Sequence, residues 1–283
     1  DSHVFRDLLI TGNVFRDTFG WSYVSEKRGG WAGGQESAVQ GLGGFGLYVD
    51  MASGVHAYRN VAYNNAYAGY LFSGTWRDGD MVYYHNVAAN SLYGFRLAGP
   101  SFDTHLGSIN TQLVSNVIVN NEGYGILHED DDGEYGNLTL DHNLYFANGW
   151  RPWDTGGLWT AGDMAIYRGS AANEYYPALA DIQVNTPWEA HGQAGDPHVW
   201  HYDVADHDLH DGSRPDFHPT TSSDPLIDRG TATLPDSLEA LVTAFAVDDL
   251  KRGEAYDLGR YEAGFEIVST PVAIGVTPGG TAR

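Results

Sequence analysis

Short runs along this chain alternate apolar and polar residues, and no stretch of the first half sustains the three-to-four-residue spacing of a helix. Gly46-Leu-Tyr-Val-Asp, Gly69-Tyr-Leu-Phe, Met81-Val-Tyr-Tyr, Gly94-Phe-Arg-Leu, Thr111-Gln-Leu-Val, Gly125-Ile-Leu-His and Leu138-Thr-Leu-Asp are runs of this kind. A period of two sends successive side chains to opposite faces of a strand, so these segments predict β-structure.

The strands belong to a repeat. Asn60-Val-Ala-Tyr-Asn-Asn returns as Asn86-Val-Ala-Ala-Asn-Ser, Asn116-Val-Ile-Val-Asn-Asn and Asn143-Leu-Tyr-Phe-Ala-Asn, with a degenerate copy at Asn13-Val-Phe-Arg. Each unit reads as strand, Asn turn, strand, Gly turn, strand, loop. Successive glycines at 46, 69, 94 and 125 set a period of 23 to 31 residues. A unit this short cannot enclose its own apolar face and must stack on its neighbours, which makes a solenoid. Asparagine tolerates the bend at a turn, and its amide can bond the equivalent amide one rung away. Asn64, Asn90 and Asn120 form a second column. Glycine marks a corner that needs positive φ or close backbone approach.

These features resemble the right-handed parallel β-helix proteins, the group of pectate, alginate and chondroitin lyases, uronan epimerases and several glycoside hydrolases. Ser223-Asp-Pro-Leu-Ile-Asp-Arg-Gly and Asp257-Leu-Gly-Arg-Tyr-Glu are similar to the closing segments of such proteins. The resemblance implies an all-β, right-handed parallel β-helix with a loop-rich C-terminal cap, in a secreted, carbohydrate-active protein. The same scaffold hosts lyases, hydrolases, epimerases and inert adhesins, so it does not by itself assign a reaction.

The expected organisation is β-helix coils over 1–149, a cap and closing segment over 150–262, and a linker with the start of a truncated β-domain over 263–283. The chain reads as a monomeric part of a longer multidomain protein. Trp150, Trp153 and Trp159 open an aromatic segment suited to covering the end of the solenoid, where a bare sheet edge invites aggregation. Asp236-Ser-Leu-Glu-Ala-Leu-Val-Thr-Ala-Phe predicts a short helix with Asp236 as its N-cap.

Alternation after each glycine turns Leu47/Val49, Tyr70/Phe72, Phe95/Leu97 and Ile126/His128 inward. Two outward columns are then expected to be exposed: Tyr48, Leu71, Arg96, Leu127, and Asp50, Ser73, Ala98, Glu129. Arg96 interrupts an apolar column, and the loops that follow carry Trp76 and His105. Aromatic rings stack on sugar faces and cations hold carboxylates, so Tyr48, Trp76 and His105 are candidate substrate-binding residues. Arg59 and His85, on adjacent rungs of the turn column Gly12, Arg59, His85, Ser115, His142, join them.

Composition narrows the chemistry. With 37 acidic and 15 basic residues the formal charge is −22, which repels nucleic acid and anionic membrane surfaces. The chain has no cysteine, so thiol nucleophiles and zinc-thiolate sites are excluded. No apolar run is long enough for a membrane-spanning helix.

A lyase on a uronate polysaccharide needs a base for the proton α to the carboxylate and a cation to neutralise that carboxylate. Lys27 is the coil-side lysine available as base, and Arg96 the cation; Asp50 and Glu129 complete the catalytic candidates. Asp50 and Glu129 lie three rungs apart, about 14 Å, too far for a glycosidase acid/base pair. A hydrolase acting on a neutral glycan, which the negative charge would not repel, and a non-catalytic binding or adhesin module stay open. Asp130, Asp131, Asp132 and Glu134 offer the hard oxygen ligands that calcium takes, without the spacing of a dedicated calcium loop. A looser acidic set stands at Asp203, Asp206, Asp208 and Asp211.

Overall fold

The computed structural model describes residues 8–18, 44–50, 52, 54–73, 81–98, 110–128, 138–149, 166–168, 174–198, 217–219, 225–247 and 254–259. The repeat folds as a parallel β-helix with three sheets. The first stacks β1 (Leu8–Thr11), β4 (Val55–Tyr58), β7 (Met81–Tyr84), β10 (Thr111–Val114) and β13 (Thr139–Asp141). The second stacks β2 (Val14–Arg16), β5 (Val61–Tyr63), β8 (Val87–Ala89), β11 (Val117–Val119), β14 (Leu144–Phe146) and β17 (Gln193–Ala194). The third stacks β3 (Phe45–Asp50), β6 (Ala68–Ser73), β9 (Tyr93–Ala98), β12 (Tyr124–His128), β15 (Ile166–Arg168) and β16 (Glu174–Tyr176). Among the described residues all strand pairings are parallel except that of β15 with β16, which is antiparallel.

The asparagine ladder is present from end to end. Nδ2 of Asn13, Asn60, Asn86 and Asn116 donates to Oδ1 of Asn60, Asn86, Asn116 and Asn143 in turn, at 3.0–3.1 Å. The backbone amide of each donor residue reaches the same oxygen. In Asn60, Asn86, Asn116 and Asn143 the second Nδ2 proton goes to a strand carbonyl of the preceding coil, such as Tyr83 O for Asn116 at 2.9 Å. The buried amides of this ladder are thus satisfied, which is what makes their burial tolerable.

The second ladder sits one residue later than the asparagine column expected for it. Asn64, Asn90 and Asn120 do align, with φ of 56°, 46° and 54°, in the left-handed region that asparagine tolerates. The rung-to-rung bonds are made by Thr18, Asn65, Ser91, Asn121 and Asn148, ending with Asn121 Nδ2 to Asn148 Oδ1 at 2.8 Å. The recurring glycines serve close approach. A Cβ on Gly94 would stand 2.6 Å from the carbonyl oxygen of Gly125, and one on Gly46 would stand 2.6 Å from that of Gly69.

Inside, Tyr70, Phe72, Tyr83, Phe95, Leu97, Leu113, Ile118, Ile126 and Tyr145 form a continuous core, with Tyr70 and Phe95 stacked at 4.7 Å. His128 is buried, as its inward position requires. At the C-terminal end of the coils the cover includes α1 (Leu179–Asn185), which the sequence pattern had not suggested. The residues after α1 complete that end: Trp188 Nε1 donates to Leu138 O and β17 pairs with β14. Trp150, Trp153 and Trp159 lie outside the described residues.

Two outer faces are also covered. On the first sheet, Tyr58, Val82, Tyr84 and Val114 pack under Leu234, Tyr256 and α2 (Asp236–Ala244), through Leu238 and Val242. Pro235 holds the N-cap position of α2, and Asp236 starts its first turn. On the second sheet, Phe217, Leu226 and Leu258 cover Val61, Val87, Val117 and Leu144. No helix among the described residues is long and apolar enough to cross a membrane.

Candidate functional site

The third sheet carries the candidate surface. Register aligns Tyr48 with Leu71, Leu71 with Arg96 and Arg96 with Leu127, as the outward column requires. The column is less open than alternation implies. Tyr48 is 48% exposed and Arg96 partly so, but Leu71 and Leu127 keep only 4% and 5% of their surface. Leu127 packs among Tyr67, Tyr93 and Tyr124, which line the corner leading into this sheet. Tyr93 and Tyr124 stack at 5.8 Å, and Tyr67 meets Tyr93 edge-on. The Arg96 guanidinium lies 5.0 Å from the centre of the Tyr67 ring, a cation–π contact, and Tyr48 rests against Phe45 at 5.2 Å. Asp50 ends β3 in register with Ser73. Lys27, Trp76, His105, Glu129, Asp130, Asp131, Asp132 and Glu134 lie outside the described residues, as do Asp203, Asp206, Asp208 and Asp211.

Arg59 and His85 both pack against a later segment of the chain itself. His85 is fully buried, its Nδ1 is 3.0 Å from the carbonyl of Asp257, and its ring packs 5.0 Å from that of Tyr256. The Arg59 guanidinium stands over Tyr58 and Tyr256 at 5.2 and 5.8 Å. Desolvation, with the nearby charge of Arg59, lowers His85 to about 3 against the opposing pull of the Asp257 hydrogen bond. His85 is therefore a neutral anchor.

What it anchors is the pair of closing motifs. Leu258 N bonds Leu226 O, Gly230 N bonds Tyr256 O, and Asp228 N bonds Asp257 Oδ1 at 2.7 Å, so the two motifs form one strap. The strap lies over the turn column through Thr231 N to Ser115 Oγ, Gly259 N to Ser115 O, and His142 Nδ1 with Arg229 O. Arg59, His85, Ser115 and His142 all adopt φ of 54–58°, which presents their side chains to it. Gly12 holds the equivalent position in the first coil at 71°.

Two further groups were not apparent from the repeat. Glu189 is fully buried and terminates the ladder, accepting from Asn143 Nδ2 at 2.7 Å, Tyr145 OH at 2.5 Å and Asn143 N at 3.2 Å. Burial pushes it up to about 8 although these three bonds pull the other way. Asp141, His142 and His191 bring three metal-ligating atoms within 4.8 Å of one another, the one such group found among the described residues. Asp141 and His142 are neighbours in the repeat, but His191 arrives from beyond α1, a separation no motif spacing would have disclosed. Burial pushes Asp141 up, but hydrogen bonds from the His191 side chain and the amides of His191 and His142 hold it below its ordinary value.

Comparison with known proteins returns nothing: no family model, no curated protein and no solved structure matches the chain.

Proposed function

We propose that this chain is the β-helix of a secreted carbohydrate-active protein that engages an acidic, uronate-containing polysaccharide along its third sheet and cleaves it by β-elimination. The support is a difference between the outer faces among the described residues. The C-terminal third packs over the first and second sheets, whereas the third sheet, with Leu71 and Leu127 buried, still presents an exposed tyrosine and a cation seated on an aromatic ring. Tyr48 and Arg96 are two rungs apart, about 9.6 Å along the axis. One sugar ring can stack on Tyr48 while the carboxylate of another pairs with Arg96, whose planar guanidinium suits a bidentate contact.

In the elimination, Arg96 offsets the uronate charge and so acidifies the α-proton. We assign Lys27 as the base that removes it. The electron pair becomes a carbon–carbon double bond as the glycosidic oxygen leaves and takes a proton from solvent.

The test is incubation with uronate and neutral polysaccharides, with and without calcium, following the ultraviolet absorbance of unsaturated ends. Absorbance should rise on a uronate polymer and fall at least tenfold in Arg96→Ala, with Tyr48→Ala raising KM. Reducing ends without unsaturation would assign a hydrolase instead, and glycan retention without turnover a binding module.

A further inference from the structure

We propose that Asp141, His142 and His191 form a binding site for a divalent transition-metal ion of the zinc class, which ties the C-terminal cap to the last regular coil. Three elements converge here. Asp141 ends β13, His142 holds the left-handed turn after it, and His191 lies on the loop between α1 and β17.

The carboxylate is already oriented. Asp141 Oδ1 accepts the amides of His142 at 3.0 Å and His191 at 2.8 Å, leaving Oδ2 to face both imidazoles. His191 Nδ1 lies 2.9 Å from Oδ2 and His142 Nε2 lies 3.8 Å from it. Bonds of 2.0–2.2 Å to a tetrahedral zinc would place two ligand atoms about 3.3 Å apart, between those two distances. The two rings stack 4.6 Å apart at 14°, so they must tilt for their in-plane lone pairs to meet on one ion.

The second observation concerns the far side of His142. Its Nδ1 is 3.2 Å from the carbonyl of Arg229, which can only accept, so Nδ1 carries the hydrogen. Nε2 is thereby the nitrogen on the side of Asp141 Oδ2, 3.8 Å away, where one cation would join the two. Metal-binding histidines characteristically donate their other nitrogen to a carbonyl or carboxylate in this way. His191 can adopt the matching tautomer easily, because its side chain is 64% exposed and water can take up the proton on Nε2. Imidazole nitrogens favour zinc, nickel or copper over calcium, which takes oxygen ligands. With three protein ligands, a fourth position stays open to water at this exposed edge.

The experiment is calorimetric titration of the chelator-treated full chain with zinc sulfate, with cobalt(II) chloride as a spectroscopic probe. One saturable zinc per chain is expected, with the visible absorption of a low-coordinate cobalt site. Affinity should fall at least tenfold in both His191→Ala and His142→Ala, and calcium should not compete. His191 is the cleaner variant, since its side chain is 64% exposed, and circular dichroism verifies that the fold survives. Zinc should also raise the unfolding temperature of the native chain and not that of His191→Ala. Absence of a saturable site, or unchanged zinc affinity and cobalt spectrum in His191→Ala, would overturn the proposal and reduce any uptake to scattered surface histidines and carboxylates.

Discussion

The carboxyl group of Glu189 accepts the side-chain amide of Asn143 at 2.7 Å and so ends a chain of amides that runs back to Asn13. An asparagine ladder is directional: each Nδ2 donates to the next Oδ1, and the last donor needs an acceptor that the repeat cannot supply. Glu189→Ala would leave three buried donors of Asn143 and Tyr145 without partners. A loss of about 3–5 kcal/mol is expected. Urea unfolding would measure it, and a midpoint unchanged within error would remove Glu189 from the ladder.

Position along the ladder should grade the effect of asparagine removal. Asn116 is fully buried and bonded on both sides, whereas Asn13 is only half-buried at the first described coil. Asn116→Ala should cost about 2–4 kcal/mol and Asn13→Ala about 1 kcal/mol or less. Equal losses would contradict a ladder whose bonds strengthen with burial.

Glycines at two kinds of position should respond differently. In Gly94→Ala the new Cβ meets backbone and the Asn121 amide, so the coils must separate, at about 2–3 kcal/mol. Gly12 has open space around it and a φ of 71°, so Gly12→Ala pays only for conformation, about 1 kcal/mol. Paired thermal melts would distinguish steric exclusion from backbone strain.

His85 makes stability depend on pH. Its folded value, lowered to about 3, lies below the unfolded value near 6.5, so the unfolded chain takes up the proton first. The contribution is fully present above pH 6.5 and is lost as pH falls toward 3. Within that window the slope attributable to this residue approaches about 1.4 kcal/mol per pH unit. His85→Asn keeps a residue that tolerates left-handed φ and should flatten the profile between pH 6 and 4 in denaturant titrations. An identical profile in the variant would show that other groups set it.

The repeat was legible because each coil touches only its neighbours. Asn60, Asn86, Asn116 and Asn143 must recur at a regular spacing for their amides to meet, and the inward strand positions must stay apolar, so both patterns survive in the linear chain. The closing motifs were legible as motifs, and the structure adds why Gly230 is there: a Cβ would strike Tyr256 O at 2.7 Å and crowd the His85 ring. Arg59 and His85 looked available for a ligand, because nothing in a turn column reveals that Tyr256 will lie across it.

Sequence alone determined the architecture: parallel coils, two aligned polar columns at their turns, an apolar interior with His128 inside it, and the candidacy of Arg96. Tertiary structure alone decided the register of the second ladder, the capping of the first by Glu189, the burial of Leu71 and Leu127, and the meeting of His191 with Asp141 and His142. Stacking is a nearest-neighbour interaction and writes itself into every repeat. Caps, straps and convergent side chains form once, between segments distant in the chain, where no periodicity records them.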